Sequence, residues 1–246
     1  MLQKIIKHLV RMLKSRIRKI LNIKKIKLHG VWIELTHDNI SPELKDFFYN
    51  ESYEGEEIGI LSQHLSNDDV VMEIGAGIGF LSTYCAKKIG SKRVFAYEAN
   101  PFMIDKIKDT YNLNNVNATI KNTLLSNREE SVNFYLEKNF WSSSTVRRSD
   151  DAKCIQVKST KINQEIEEIK PNFLIIDIEG GEKDLVPMID FDKNNINKVI
   201  IEIHPHVIGE QEASNLIAHF ISKGFYLNFK ETKGIVFMFE RKINNK

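Results

Sequence analysis

The sequence predicts an α/β protein with a mostly parallel sheet, helices on both faces of the sheet, and an antiparallel C-terminal hairpin strand. Three observations predict this fold. Buried apolar strands alternate with helical patterns from Val70 onward, a glycine-rich turn joins the first of these strands to its helix, and two strand-like segments close the chain. Such alternation is typical of parallel sheets that are covered by helices.

Length and composition fit one sizeable globular domain. The chain has 246 residues, of which 42% are hydrophobic and 28% are charged. Its two cysteines, Cys85 and Cys154, have neither a disulfide-framework spacing nor a metal-ligand spacing. We therefore expect a reduced, cytoplasmic protein in which Cys85 is a small core residue.

The first 28 residues differ from the rest of the chain in charge. They hold ten Lys and Arg and no Asp or Glu, whereas the remainder has 25 basic and 33 acidic residues, a net charge of −8. A nucleic-acid-binding domain would need basic surface on its main body. We therefore expect no nucleic-acid partner.

Residues 1–28 are predicted to form one basic amphipathic helix. Apolar residues recur at spacings of three and four: Leu2, Ile5, Ile6, Leu9, Leu13, Ile17, Ile20 and Leu21. No apolar run approaches the roughly 20 residues of a spanning helix, and charges interrupt any signal-peptide core. Two interpretations stay open. In the first, the helix lies on the inner face of an anionic membrane. In the second, its apolar stripe packs on the domain or on a partner subunit.

The rest of the chain divides into a lead-in segment and a main domain. Residues 29–66 are predicted to contain a hairpin that turns at Gly30 and a helix over Gly55–Leu65. Residues 67–246 alternate strands and helices. The predicted sheet strands are VVMEI, RVFAYE, NATI, NFLIIDI and NKVIIEIH; SVNFYL and CIQVKS are additional strands, and FYLNFK and GIVFMFE form the closing hairpin.

A glycine loop follows the first strand and opens the first helix of the main domain. Gly75, Gly77 and Gly79 allow sharp turns and close approach of a ligand to the backbone. Glu98 ends the next strand, 19 residues past Gly79, where a carboxylate can accept hydrogen bonds from both hydroxyls of a ribose. Phe80 stands where the dinucleotide fingerprint has its third glycine, which disfavours an NAD enzyme. A tight turn without a ligand is the simplest alternative.

The spacing of Glu73 and the three glycines resembles motif I of class I S-adenosylmethionine (SAM) methyltransferases. The ordered set VMEIGAGIGFLS, VFAYEANP, NATIKNTLLSN, FLIIDIEGGE and VIIEIHP resembles the FkbM-type SAM-dependent methyltransferases from about Val70 to Phe225. Two positions depart from the family pattern: Ala99 replaces a proline, and Ile175 stands where the family often has a lysine. This resemblance implies a Rossmann-like class I methyltransferase fold.

The resemblance also implies how SAM would be held. Glu73, Gly75 and Gly77 would contact its methionine part, followed by Gly79 in the same loop, and Glu98 would hold the ribose. The adenine would lie near Asn100, Asn122 and Thr123. Tyr53 and Glu54 resemble a Tyr-Glu pair that precedes motif I in such proteins and would close the methionine end; an ordinary solvated helix start is the alternative for this pair.

The residues expected to act on the acceptor follow two later strands. Asp177 and Glu179 end one strand, and Glu202 and His204 end the next, at the edge where open α/β sheets bind ligands. We predict Asp177 or His204 as the base, Glu179 as a further catalytic carboxylate, and Glu182, Glu202 and Trp141 as acceptor-positioning residues.

Each of these residues also has a purely structural interpretation. Asp177 would then cap a turn, Glu182 would complement a helix dipole, His204 would be a loop histidine, and Trp141 would be a core residue rather than a lid. A divalent metal held by Asp177, Glu202 and His204 is an alternative that we do not favour.

The family implies O-methylation of a sugar, glycan or related natural product. The expected cofactor is SAM, and the expected partner is a small-molecule or glycan acceptor. Three other classes remain open: a small-molecule N-methyltransferase, a non-catalytic SAM-fold adaptor for a membrane or partner, and an NAD oxidoreductase. The Asn/Asp-Pro-Pro-aromatic motif of protein and nucleic-acid N-methyltransferases is missing, because this strand end reads Asp177-Ile178-Glu179-Gly180.

Overall fold

A computed structural model describes residues 2–36, 40–139 and 142–242. The helices are α1 (Leu2–Ile20), α2 (Pro42–Tyr49), α3 (Gly55–His64), α4 (Phe80–Ile89), α5 (Ile104–Leu113), α6 (Ile162–Ile169), α7 (Glu182–Leu185), α8 (Pro205–Ile208) and α9 (Glu210–Ser222). Within the described ranges, no helix combines the length and the apolar character needed to cross a bilayer.

The strands form three sheets. They are β1 (Lys25–Leu28), β2 (Val31–Glu34), β3 (Val71–Ile74), β4 (Val94–Glu98), β5 (Thr119–Asn122), β6 (Leu124–Ser126), β7 (Ser131–Leu136), β8 (Lys153–Lys161), β9 (Phe173–Ile176), β10 (Lys198–Glu202), β11 (Tyr226–Leu227) and β12 (Val236–Glu240). β1 and β2 make a hairpin, and β6, β8 and β7 make a small sheet beside the main one.

The main sheet has seven strands in the order β11-β12-β10-β9-β3-β4-β5. The pairs among β10, β9, β3, β4 and β5 are parallel, whereas β12 runs antiparallel between β10 and β11. The predicted α/β fold with an antiparallel C-terminal hairpin strand is therefore confirmed. Because the five parallel strands share one direction, their carboxyl ends meet at one edge of the sheet.

Side chains alternate between two apolar layers along the central strands. On β9, Phe173 and Ile175 enter one core cluster, and Leu174 and Ile176 enter the other. Cys85 is completely buried in the first cluster, as predicted. Both faces of a parallel sheet are covered in this way, which explains why its strands read as continuous apolar runs.

The N-terminal segment departs from the prediction of one helix over residues 1–28. Helix α1 ends at Ile20, and Lys25–Leu28 is instead the first strand of the hairpin. Asn22 has a φ of 45°, which interrupts helical geometry. Ile26 and Leu28 are then buried in the same core cluster as the start of the main sheet, and this burial favours the strand over continued helix.

Helix α2 is an element that the sequence reading did not include. Ser41 caps it, accepting a hydrogen bond from the N–H of Leu44 at 3.2 Å, and Pro42 occupies its first turn. This signal was present in the sequence as Ser-Pro-Glu. Leu44 and Phe48 join the core cluster that also contains β3 and α4, so the lead-in segment and the main sheet share one core.

Candidate functional site

The glycine loop between β3 and α4 turns tightly against β9. The backbone N–H groups of Gly75 and Ala76 donate to the carbonyl of Tyr97 at 2.9 and 3.1 Å. Gly75 has a φ of +92°, and a Cβ at this position would lie 1.7 Å from the carbonyl oxygen of Asp177. Only glycine permits this approach, which places the end of β9 beside the loop.

Glu98, the last residue of β4, is fixed by backbone donors. Its Oε2 accepts a hydrogen bond from the N–H of Gly77 at 2.9 Å, and its Oε1 accepts one from the N–H of Asn100 at 2.7 Å. Burial raises the pKa of Glu98 to about 7, although these N–H groups oppose the shift. Each oxygen keeps a lone pair that can accept a ligand hydroxyl.

Glu73 lies in β3, directly before the loop, and lines the same cavity. Its side chain is buried, and its Oε2 has no hydrogen-bond partner among the described residues. Burial raises its pKa to about 8. A buried carboxylate oxygen without a donor is costly, so a donor or a positive charge supplied by a ligand would stabilise it. We call Glu73, Gly75, Gly77 and Glu98 the glycine-loop end of the cavity.

Three predicted cofactor residues lie behind the cavity wall. Gly79 begins α4, where an added Cβ would meet Ile107 at 2.9 Å, so it permits close packing of α4 on α5. Asn100 caps the turn after β4, and Asn122 donates from Nδ2 to the carbonyl of Glu98 at 2.8 Å. None of the three is among the cavity-lining residues, whereas Thr123 is. Their position favours support of Glu98 and of the loop over direct contact with a ligand.

Tyr53 and Glu54 do line the cavity, before the start of α3. The Tyr53 ring lies 4.4 Å from that of Phe48 and 5.4 Å from that of Phe80, between centroids. Glu54 adopts a left-handed φ of 50°, and burial raises its pKa. Glu57 lines the cavity one turn further on, and burial raises its pKa to about 7. Sequence reading missed Glu57, since it looked like any polar residue of a helix.

Four side chains converge where β9 and β10 end. Nε2 of His204 lies 3.3 Å from Oε2 of Glu179, 3.4 Å from Oε1 of Glu202 and 3.8 Å from Oδ1 of Asp177. We call Asp177, Glu179, Glu202 and His204 the histidine cluster. The structure thus brings together the four residues that the sequence predicted at this sheet edge.

Burial changes the interpretation of Glu182 and His204. Glu182 is 0% exposed, is absent from the cavity lining, and lies 2.8 Å from Nδ1 of His204 through its Oε1. Burial alone would lower the pKa of His204, but hydrogen bonds to Glu182 and Glu202 and nearby carboxylates raise it to about 11. An imidazolium cannot accept a proton, so His204 is better placed to orient the carboxylates, and Glu182 to hold His204, than to contact an acceptor.

Asp177 has a buried carboxylate oxygen that accepts no hydrogen bond from the described residues. This oxygen is Oδ1, and the residue lines the cavity. Burial and the charges of Glu202 and Glu179 raise its pKa well above the usual range. In its ionised form, a carboxylate with a raised pKa is a stronger base and can take a proton from a hydroxyl group.

The geometry also permits a cation. Asp177, Glu179 and His204 each offer one ligand atom, and these atoms lie within 4.8 Å of one another. However, His204 would first have to lose a proton that its partners hold strongly, and Glu179 is already paired with Arg148 at 2.6 Å. The donor set fits a divalent ion only after both rearrangements.

Arg148 is a second residue that sequence reading missed. Its Nη2 donates to both the carboxylate and the carbonyl of Glu179, at 2.6 and 2.8 Å. It lies in the loop between β7 and β8, far from Glu179 in sequence. No local sequence pattern could therefore predict this ion pair. Trp141, predicted in the same loop, lies outside the described residues.

The glycine-loop end and the three carboxylates of the histidine cluster border one cavity of about 630 Å³, whereas His204 is not among the lining residues. This volume lies within the range of small-molecule and cofactor sites. Among the described residues that line it there is no Lys or Arg, whereas ten carry carboxyl groups: Glu54, Glu56, Glu57, Glu73, Glu98, Glu130, Asp177, Glu179, Asp184 and Glu202. The cavity therefore favours a ligand that carries positive charge and hydroxyl donors.

Comparison with known proteins identifies the class. The family model described as the methyltransferase FkbM domain matches residues 73–229. The hexuronic acid methyltransferase AglP of Haloferax volcanii is 26% identical over 153 residues, which cover 61% of this chain and 62% of that protein. The chain thus aligns with less than two thirds of that relative's length.

Two solved structures align with this chain at low sequence identity. A methyltransferase from Pyrococcus furiosus aligns with a TM-score of 0.48 and 14% identity, covering 96% of this chain and 99% of that one. A precorrin-6y C5,15-methyltransferase from Geobacter metallireducens has a TM-score of 0.48 and 14% identity, covering 77% and 88%. Since the family model spans more than half of the sequence, the protein belongs to the FkbM methyltransferase family.

Proposed function

We propose that the protein transfers the methyl group of SAM to a hydroxyl group of an uncharged sugar, glycan or related polyol. The observation that carries this proposal is the contact between Gly75 and the carbonyl of Asp177, because it places the glycine loop beside a carboxylate whose buried Oδ1 has no hydrogen-bond partner among the described residues. A ligand held at the glycine-loop end would then present its reactive part to Asp177.

SAM matches the chemistry of the glycine-loop end. Its ribose hydroxyls would donate to Glu98, which Gly77 and Asn100 already hold in place. The sulfonium and the amino group would bring positive charge to a cavity rich in carboxylates, including Glu73, whose Oε2 has no hydrogen-bond partner among the described residues. Gly75 and Gly77 line the cavity at this end, and their backbone would lie along the methionine part.

Asp177 would act as the base. Methyl transfer is an in-line displacement in which the acceptor oxygen attacks the methyl carbon and the sulfonium leaves as a neutral thioether. The acceptor hydroxyl loses its proton to Asp177, whose raised pKa suits this step. Glu179 and Glu202 line the cavity beside it and would orient the acceptor, while Arg148 and His204 hold them.

The charge of the cavity bears on the acceptor. AglP is named for a hexuronic acid, but a carboxylate-bearing sugar would enter a cavity whose described lining has several carboxylates and no Lys or Arg. We therefore propose an uncharged polyol rather than a uronic acid. The same lining favours an amine as a second candidate acceptor, which Asp177 would have to deprotonate before N-methylation.

A matched acceptor panel tests this proposal. The protein is incubated with SAM and a methyl hexoside, the corresponding hexuronide or the corresponding hexosaminide, and products are followed by mass. We expect one added methyl group on an oxygen of the neutral glycoside, and loss of product in Asp177→Asn. Methylation of the hexuronide alone would contradict the assigned acceptor charge, and methylation on nitrogen would favour the second candidate. A folded protein that binds no SAM would refute the enzyme and leave a non-catalytic adaptor.

A further inference from the structure

Helix α1 presents its apolar face away from the domain. The described apolar side chains Ile6, Leu9, Val10, Leu13, Ile17 and Ile20 are between 46% and 82% exposed. Their spacing of three and four residues places them on one side of the helix. An amphipathic helix that stabilises a globular domain normally turns this side inward.

The opposite side of α1 is held by polar contacts. Ser15 is buried, and Arg18 donates from Nη1 to the carbonyl of Tyr49 at 2.8 Å and from Nη2 to Oε1 of Glu51 at 2.7 Å. Lys19 pairs with Asp46 at 2.8 Å. The helix is therefore fixed to α2 and the residues after it through its hydrophilic side. The packing of its apolar stripe on this domain, one of two interpretations open from the sequence, is wrong for the described residues.

The positive charge of residues 1–28 indicates which kind of surface α1 would bind. Residues 1–28 carry ten Lys and Arg and no acidic residue, while the rest of the chain has a net charge of −8. Arg11, Lys14 and Arg16 are exposed on the same helix as the apolar face. Two copies of the segment facing each other would bring their basic residues together, which opposes self-association. An anionic bilayer surface satisfies both the apolar face and the positive charge.

We propose that α1 docks the protein on the surface of an anionic phospholipid bilayer, with the face Ile6–Leu9–Leu13–Ile17–Ile20 inserted at the headgroup boundary. The helix lies on the bilayer and does not cross it. Asp46 of α2 pairs with Lys19, and the neighbouring Leu44 and Phe47 line the cavity, so a bound bilayer would lie near the cavity. This inference does not depend on the methyl-transfer proposal.

Vesicle flotation of the full chain tests the docking surface. The protein is mixed with phosphatidylcholine vesicles, or with vesicles that contain phosphatidylglycerol as well, at low and at high salt. We expect binding to the anionic vesicles at least about tenfold stronger than to the neutral ones, and weaker at high salt. The double substitution Leu13→Ser with Ile17→Ser should reduce this binding by about tenfold or more.

The control replaces an equally exposed apolar residue elsewhere. Ile221→Ser, on the exposed side of α9, should leave vesicle binding unchanged because it lies outside α1. Circular dichroism and SAM affinity, unchanged in all variants, separate this result from misfolding and from the proposed function. Two outcomes would overturn the inference: a folded wild type that ignores anionic vesicles, or a dimer in solution that the Leu13 and Ile17 substitutions dissociate.

Discussion

The two ends of the cavity are built by different means. At the glycine-loop end, the backbone positions the site. The N–H groups of Gly77 and Asn100 donate to Glu98, and Gly75, with its positive φ and no Cβ, allows the end of β9 to approach closely. In the histidine cluster, side chains hold one another, with His204 between Glu182 and three further carboxylates. Backbone N–H groups therefore fix the first arrangement, whereas the second depends on the charges of its own side chains.

Among the substitutions, we expect the largest effect from one that breaks the contact between the two ends of the cavity. Gly75→Ala would force a Cβ against the carbonyl of Asp177, 1.7 Å away, at a φ that disfavours alanine. We expect a loss of about 3–5 kcal/mol in the free energy of unfolding, with loss of SAM binding. Urea unfolding measures this loss. Gly224→Ala is the matched control, because Gly224 has a φ of +79° and open space around its Cβ position; equal losses in both variants would contradict the contact.

Within the histidine cluster, Asp177→Asn should separate chemistry from cofactor binding. Asparagine keeps the shape but cannot accept the proton, so we expect turnover to fall by about 10²–10⁴-fold. Steady-state kinetics with the active acceptor measures the fall. Asp184→Asn serves as the control, since Asp184 also lines the cavity but is exposed at the start of α7. Full turnover in Asp177→Asn would remove this residue as the base.

Acid should weaken the glycine-loop end. The pKa of Glu98 is raised to about 7, and ribose hydroxyls bind best to its ionised form. We therefore expect SAM affinity to fall by roughly three- to tenfold between pH 8 and pH 6, with proton release on binding near pH 7. Calorimetry in buffers of different ionisation enthalpy reports both. Glu98→Gln should remove most of this dependence, and what remains would report the other cavity carboxylates with raised pKa values, among them Glu73 and Glu57. A pH-independent affinity in the wild type would argue against Glu98 as the ribose ligand.

Metal removal should have the smallest effect. Nearby carboxylates raise the pKa of His204 to about 11 and Arg148 pairs with Glu179, so both residues would have to rearrange before they could ligate an ion. We expect less than about twofold change in turnover after treatment with a chelator. Loss of turnover that magnesium restores would show instead that Asp177, Glu179 and His204 hold a divalent cation.

The difference between the two ends also explains what the sequence could predict. The glycine loop and Glu98 form a local pattern with fixed spacing, and the strand order follows from alternating apolar runs, so the fold and this part of the site could be predicted. The residues that reach the histidine cluster from elsewhere in the chain could not be predicted. Glu57 and Arg148 reach the site from α3 and from the β7–β8 loop, and only tertiary structure brings them there.

The burial of individual side chains also could not be predicted from the sequence. The sequence predicts Glu182 and His204 beside the acceptor, or otherwise as a helix-dipole carboxylate and a loop histidine, whereas both are buried and bonded to each other. Gly79 belongs to the motif but meets Ile107 rather than the cavity. Helix α1 is the reverse case, because its apolar stripe predicted a buried face as readily as a membrane-bound one, and the structure leaves that stripe exposed.

The most direct test of the account is a calorimetric titration of SAM into the wild type, Glu98→Ala and Asp177→Asn. We predict one site per chain in the wild type, a dissociation constant weakened by at least about tenfold in Glu98→Ala, and a constant within about threefold of wild type in Asp177→Asn. Absence of binding heat in the folded wild type, or equal weakening in both variants, would contradict a cavity whose glycine-loop end holds the cofactor and whose Asp177 faces the methyl group.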